Sequence, residues 1–181
     1  DLCVPDGVGL LLAGKWMRHP LPERVPGSEI VYHLAEQCAE NGWRLFLLGA
    51  QEGIAAEAGR IFQQKYPNLI IAGTYAGSPA PAENDEIVTM INESRADILY
   101  VAYGNPNQDK WIGRNKETLN SVRVAIGIGA SLDFVTGNVP RAPRWMQKLG
   151  LEWLHRLILE PWRWRRMLAL PCFVFGVING R

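Results

Sequence analysis

Four short apolar runs, each ending at or just before glycine, constrain this chain more than any other feature. They are RLFLLG (44–49), LIIAG (69–73), DILYVAYG (97–104) and VRVAIGIG (122–129), and they read as buried strands. Helical stretches lie between them, at roughly 28–40, 52–65, 83–95 and 107–118. Strands that alternate with helices imply an α/β fold, with a mostly parallel sheet and helices on both faces. LCVPDG (2–7) reads as the end of a further strand, with a helix over 8–16 after it, so the chain is expected to begin in mid-fold. From about residue 140 the alternation stops and the pattern becomes helical, with Pro161 placed to open a second helix at its first turn. The expected organisation is a core over 1–140 and a helical appendage over 141–181.

A length of 181 residues with 48% hydrophobic and 20% charged side chains fits a folded domain with a sizeable core. Net charge is only +1, which gives no sign of nucleic-acid binding. Cys3, Cys38 and Cys172 are odd in number and far apart, so neither a disulfide framework nor a zinc site is expected. The longest apolar run, Met167 to Ile178, has 12 residues, short of the roughly 20 that span a bilayer as a helix.

In an open parallel sheet, ligands bind beyond the carboxyl ends of the strands. The loops there are GAQEG (49–53), GTYAGSP (73–79), YGNPNQDKW (103–111) and GIGASLDF (127–134), together with PDGVG (5–9). GLLLAGKW (9–16) approaches a P-loop, but Trp16 replaces the hydroxyl that would meet magnesium, and three leucines fill the phosphate cradle. An amphipathic helix ending at Gly14 is the better reading. GIGASL (127–132) keeps two glycines of a dinucleotide fingerprint and puts Leu132 at the third. Such a loop suits a diphosphate at a helix N-terminus, or serves as a tight turn. Asp6, in VPDG (4–7) where a strand is expected to end at a glycine-rich turn, suits a general base or a turn-forming aspartate; Asp109 and Asp133 share the strand-end placement. The amides and carboxylate of NPNQD (105–109) suit sugar hydroxyls, although Asn105 before Pro106 also suits a helix cap. No DxD triplet occurs, ENDE (83–86) reads as a helix start, and His19, His33 and His155 lack ligand spacing; no metal site is expected.

Residues 141–166 stand apart. They hold seven basic groups against Glu152 and Glu160, a net of +5, which leaves −4 for the remainder. Trp153, Trp162 and Trp164 lie among Arg156, Arg163 and Arg166. Arginine with tryptophan, followed by an apolar tail too short to span, favours an anionic membrane interface. A helix packed on the domain's own surface is the alternative.

Taken together, PDGVG (5–9), LPERVPGSE (21–29), LFLLGA (45–50), YGNPNQDKWI (103–112) and the long stretch from Gly127 to Arg166 resemble the WecG/TagA/CpsF glycosyltransferases, glycosyltransferase family 26. The resemblance covers essentially the whole chain. It implies a Rossmann-like fold with a C-terminal helical appendage at the membrane. It also implies inverting, metal-independent transfer of an N-acetylmannosamine-type sugar from a UDP donor to undecaprenyl-diphosphate-linked N-acetylglucosamine, in surface polysaccharide or teichoic acid synthesis, with no cofactor. Asp6 becomes the expected base, and Arg156, Arg163 and Arg166 the groups near diphosphate. Substrate binding is expected at Gly7, Arg24, Gly49, Tyr103, Gly104, Asn105, Pro106, Gln108, Asp109, Gly127, Gly129, Ser131 and Asp133. The implied location is cytoplasmic, on the inner face of the bacterial membrane; a homo-oligomer is left open. Family members carry a segment before the PDG motif that this chain is expected to lack. The competing readings are a dinucleotide-binding domain and a non-catalytic domain held at a membrane. The first lacks an intact fingerprint, and the second leaves the polar strand-end loops unexplained.

Overall fold

Arg44–Gly49 (β1), Ile70–Tyr75 (β2), Ile98–Ala102 (β3) and Val124–Gly127 (β4) form one parallel sheet in the order β2-β1-β3-β4. The computed structural model describes residues 2–148, 151–161, 164 and 168–179. Two compact units are present: Gly27–Val139, which holds the sheet, and Asp1–Pro26 with Pro140–Arg181.

The sheet is covered on both faces, and the period of two along each strand shows how. Leu45, Leu47, Ile98 and Tyr100 pack with α2 (Gly27–Asn41), α3 (Ile54–Lys65) and α6 (Ser131–Thr136). Phe46, Leu48, Leu99 and Val101 pack with α4 (Asn84–Ser94) and α5 (Asn107–Asn115). Residues buried on both faces make a continuous apolar run in sequence, which is why β1 and β3 are so plain there. Tyr100 takes its hydroxyl into this core and donates to the Val31 carbonyl at 2.8 Å, tying α2 to the sheet.

The path of the chain defines a switch point. It leaves β1 through α3 to β2 at one edge, then crosses back through α4 to β3 on the other side of β1. Two crossovers therefore diverge where β1 meets β3, and a crevice is expected beyond their carboxyl ends.

The other unit contains α1 (Val8–Trp16), α7 (Arg144–Lys148), α8 (Glu152–Leu159) and α9 (Ala169–Asn179). The expected strand over 2–7 is not formed: these residues have no strand pairing, and Leu2 is 90% exposed. Pro5 lacks an N–H for a ladder; its carbonyl instead accepts from Val25 N at 2.9 Å. The helix after it spans Val8–Trp16, the 8–16 expected; it runs past Gly14, where the alternative to a P-loop ended it, and none of its residues is buried. His19 N donates to the Gly14 carbonyl and Arg18 N to the Lys15 carbonyl, with Arg18 left-handed at φ 61°. This is a Schellman closure, so Gly14 and Lys15 belong to a helix C-terminus and not to a phosphate loop. A Cβ on Gly14 would stand 2.7 Å from the His19 carbonyl oxygen, which explains the glycine. The helix expected to open at Pro161 falls largely on residues outside those described.

Candidate functional site

Within the sheet unit, the strand ends at the switch point are held close before their loops part. Ala50 N donates to the Ala102 carbonyl at 3.1 Å. Gly49 is at φ 97°, and a Cβ there would lie 2.8 Å from the Ala102 carbonyl carbon. Only glycine allows β1 to finish so near β3.

Beyond β3 the chain runs through Tyr103 and Gly104, then the cis Asn105–Pro106 peptide, into α5. The Gly104 carbonyl accepts from Gln108 N at 3.0 Å. The cap position of α5 falls on Pro106, and Asn105 Nδ2 donates to Asp109 Oδ2 at 2.8 Å. Asn105, Pro106 and Asp109 are exposed.

Gln108 is buried and links this loop to the next one. Its Oε1 accepts from Gly129 N at 2.9 Å. A Cβ at Gly127 would meet Gln108 Nε2 at 2.5 Å, so the absence of a side chain at Gly127 makes room for the link. Ile128 N donates to the Val101 carbonyl at 2.9 Å, and Ser131 donates through both N and Oγ to the Ile128 carbonyl. Ser131 is buried with its hydroxyl committed to that turn, while Asp133 is partly exposed in the first turn of α6. The structure thus brings Gly49, Tyr103, Gly104, Gln108, Gly127 and Gly129 to one end of the sheet.

Tyr103 carries a further feature. Its ring stands edge-on to Trp111, with centroids 6.2 Å apart. Tyr103 Oη and Trp111 Nε1 are both buried without a hydrogen-bond partner among the described residues. Burial, with smaller contributions from Glu83 and Tyr75, pushes the Tyr103 hydroxyl well above the ordinary phenol range, so it remains a donor. A buried donor with no acceptor costs free energy that a bound polar group can recover.

Asp6 and Gly7 belong to the other unit. Both are exposed; Gly7 caps α1, and its carbonyl accepts from Leu10 N at 3.0 Å. Arg24 donates through Nη2 to Glu152 Oε2 at 2.9 Å, and Glu152 is the first residue of α8. Arg156 lies in α8; its side chain, like Arg163 and Arg166, falls outside the described residues. The Arg24–Glu152 pair escaped the sequence reading, as did the unpartnered Trp111 Nε1; neither leaves a local pattern. Among the described residues no three His, Cys, Asp or Glu side chains gather as a metal site, and no helix is long and apolar enough to cross a membrane.

Comparison with known proteins identifies related chains. A family model described as "Glycosyl transferase WecG/TagA/CpsF family" matches residues 1–181. An N-acetylglucosaminyldiphosphoundecaprenol N-acetyl-beta-D-mannosaminyltransferase of Bacillus subtilis (strain 168) is 35% identical over 179 residues, covering 99% of this chain and 69% of the relative. Enzymes of the same description from Bacillus spizizenii (strain ATCC 23059 / NRRL B-14472 / W23) and Staphylococcus aureus (strain MRSA252) are 34% and 30% identical. They cover 99% and 98% of this chain and 68% and 69% of the relatives.

Proposed function

Because the chain belongs to the WecG/TagA/CpsF glycosyl transferase family, we propose that it moves an N-acetylmannosamine-type sugar from a UDP donor to undecaprenyl-diphosphate-linked N-acetylglucosamine, with inversion and without a bound divalent metal. The sugar and acceptor follow the activity for which relatives that match nearly the whole chain are named. The structural observation that carries the reading is the Gln108–Gly129 bond, which joins two polar loops at the switch point of the sheet. Backbone N–H groups and amide side chains are grouped there, as a nucleoside diphosphate sugar requires.

In the proposed step, Asp6 takes the proton from the acceptor hydroxyl as its oxygen attacks the anomeric carbon. The new carbon–oxygen bond forms as the bond to the UDP β-phosphate oxygen breaks, and UDP leaves with the electron pair. Attack opposite the leaving group inverts the anomeric centre. The diphosphate gathers charge as it leaves, and Arg156, Arg163 and Arg166 supply the counter-charge. The sequence contains no DxD triplet to carry a metal in their place. The donor pocket is assigned to Gly49, Tyr103, Gly104, Asn105, Pro106, Gln108, Asp109, Gly127, Gly129, Ser131 and Asp133, with Gly7 and Arg24 near the acceptor. The lipid tail requires the enzyme to work at a membrane. The net +5 over 141–166 and the apolar stretch after it suit attachment to the anionic inner face.

The test is turnover of a panel of UDP-sugars with a short-chain lipid-diphosphate acceptor, with and without chelator. Product with UDP-N-acetylmannosamine, of inverted anomeric configuration and unaffected by chelation, supports the reading. Loss of turnover in chelator, restored by manganese, removes metal independence. Thermal stabilisation by NAD and not by UDP would remove the donor assignment.

A further inference from the structure

The buried residues of α5 are Gln108, Trp111 and Asn115, spaced i, i+3 and i+7 and so on one side of the helix. Apolar side chains there would hold the helix to the sheet without specific partners. Buried amides cost free energy unless each meets a matching group, so they fix position as well as attachment. Each member of this stripe meets a different strand-end loop. Gln108 accepts from Gly129 N in the loop after β4, and the Trp111 ring stands edge-on to Tyr103 after β3. Asn115, about 10 Å along the helix from Gln108, reaches the segment after β2. Its Nδ2 donates to Asn84 Oδ1 at 2.8 Å, and Asn84 Nδ2 donates back to Asn115 Oδ1 at 2.8 Å. Beside this closed pair, Arg114 Nη2 donates to the Pro79 carbonyl at 3.0 Å and to Asn84 Oδ1 at 3.2 Å. The segment so held, 76–84, leaves the carboxyl end of β2. Gly77, at φ 50°, turns it tightly over Tyr75: a Cβ there would lie 2.7 Å from Tyr75 Cε1. Glu83 Oε2 closes the loop by accepting from Ser78 N at 3.0 Å, and its charge reaches the Tyr103 hydroxyl.

We propose that Asn115 and Asn84, with Arg114, are positioning residues for the donor site: they fix the 76–84 loop as a wall of the crevice beside Tyr103, in register with the loops that Gln108 joins. The inference rests on the donor assignment made above and extends it to residues that touch no substrate. Trp111, in the middle of the stripe, and Tyr103 beside it carry buried donors without a partner among the described residues. A polar group of the donor meets them in good geometry only while the loops on either side keep their places. An amide pair that merely tied α4 to α5 would affect stability and leave donor binding alone.

The experiment uses the full chain and two variants. Asn84→Leu with Asn115→Leu replaces both amides by apolar groups of similar size, a change that can leave stability nearly unaltered. Arg114→Ala removes an exposed side chain and cuts the tie to Pro79 without touching the core. Circular dichroism with thermal melting checks that each variant is folded at the assay temperature. Isothermal titration with UDP should show affinity about tenfold weaker in the double variant and about threefold weaker in Arg114→Ala. The KM for the UDP-sugar should rise by similar factors, with kcat at saturating donor little changed. Amide hydrogen exchange over 76–84 should quicken in both variants, and UDP should slow it in the unchanged chain. UDP affinity equal to that of the unchanged chain in both folded variants overturns the proposal, whatever their melting temperatures. If the double variant is not folded, Arg114→Ala decides alone, and unaltered UDP affinity there overturns it. Exchange over 76–84 that UDP fails to slow in the unchanged chain overturns it too, since the loop would then lie away from the donor. Failure of the transferase reading has a different signature: the unchanged chain binds UDP, with the expected losses in the variants, yet transfers no sugar. An unchanged chain that binds no UDP removes the donor assignment and this inference with it.

Discussion

Arg24 Nη2 and Glu152 Oε2 stand 2.9 Å apart although 128 residues separate them in sequence. The bond joins the segment after α1 to the first residue of α8, and Arg156 follows one helical turn later. Both partners are partly buried, Arg24 at 19% and Glu152 at 31% side-chain exposure, so the pair lies between a surface ion pair and a buried one. Arg141 Nε lies 3.9 Å from the other carboxylate oxygen, which places Glu152 between two guanidinium groups.

This pair separates two roles for Arg24. If it holds α8, Arg24→Ala and Glu152→Ala should lower turnover by a similar factor, about tenfold, and the double variant should be little worse than either. Each should also cost roughly 1–2 kcal/mol of stability in urea unfolding. If Arg24 instead contacts substrate, Arg24→Ala should fall far below Glu152→Ala, with a raised KM for acceptor. A thermodynamic cycle on kcat/KM decides between them.

Asp6→Asn should reduce kcat by about 10²–10⁴-fold, the usual contribution of a general base. Asp6 is exposed next to the cap of α1 and outside the sheet core, so UDP affinity and thermal stability should hardly change. A variant with unchanged kcat would reduce Asp6 to a turn residue and move the search to Asp133.

The sheet was legible because its strands are buried on both faces, which leaves no polar alternation to confuse the pattern. The errors occur where burial ends. Val122 and Arg123 belong to the expected strand, but β4 starts at Val124; Arg123 N donates to the Asp97 carbonyl at 2.8 Å, just ahead of β3. The segment 2–7 has strand-like composition but neither burial nor pairing. The loops of the site were visible as polar and glycine-rich stretches at strand ends. Their coupling was not, since Gln108 and Gly129 lie 21 residues apart and no periodicity marks a bond between an amide and a distant backbone N–H. Asn105 had the composition of a cap; the cap position falls one residue later, on Pro106, and the Asn105 amide reaches Asp109.

That coupling predicts a pair of matching variants. Gln108→Ala removes the acceptor for Gly129 N and leaves a buried gap. Gly127→Ala leaves Gln108 in place but puts a methyl 2.5 Å from its Nε2, so the amide must move. Both should loosen the loop that begins α6 and weaken UDP binding by about tenfold, near the value of one hydrogen bond in a preorganised site. Isothermal titration with UDP measures this. Weakening in only one variant would break the link between loop coupling and donor affinity.

Burial, aided by Asp97, raises the Cys38 thiol from an ordinary 9.0 to about 11. The native state therefore keeps its proton where the unfolded chain has lost it. The resulting stability is complete below pH 9.0 and is lost as pH rises toward 11, at no more than about 1.4 kcal/mol per pH unit. Urea midpoints measured across this window should fall less steeply in Cys38→Ala than in the unchanged chain. Iodoacetamide should label the exposed Cys3 and Cys172 at native pH and reach Cys38 only on unfolding. Rapid native labelling of Cys38 would contradict its burial.

Tyr103→Phe should act in opposite directions on stability and binding. The hydroxyl is buried without a partner among the described residues, so deleting it removes an unsatisfied donor while keeping the ring against Trp111. Thermal stability of the ligand-free protein should hold or rise, because the isosteric change ends a desolvation cost of about 1–3 kcal/mol. Donor affinity should fall by roughly tenfold if a substrate oxygen accepts from that hydroxyl. Comparing UDP with the intact UDP-sugar then locates the acceptor atom: an equal loss for both places it on the nucleotide, and a loss confined to the UDP-sugar places it on the hexose. A variant that is less stable and binds both ligands normally would show that the hydroxyl serves the fold alone.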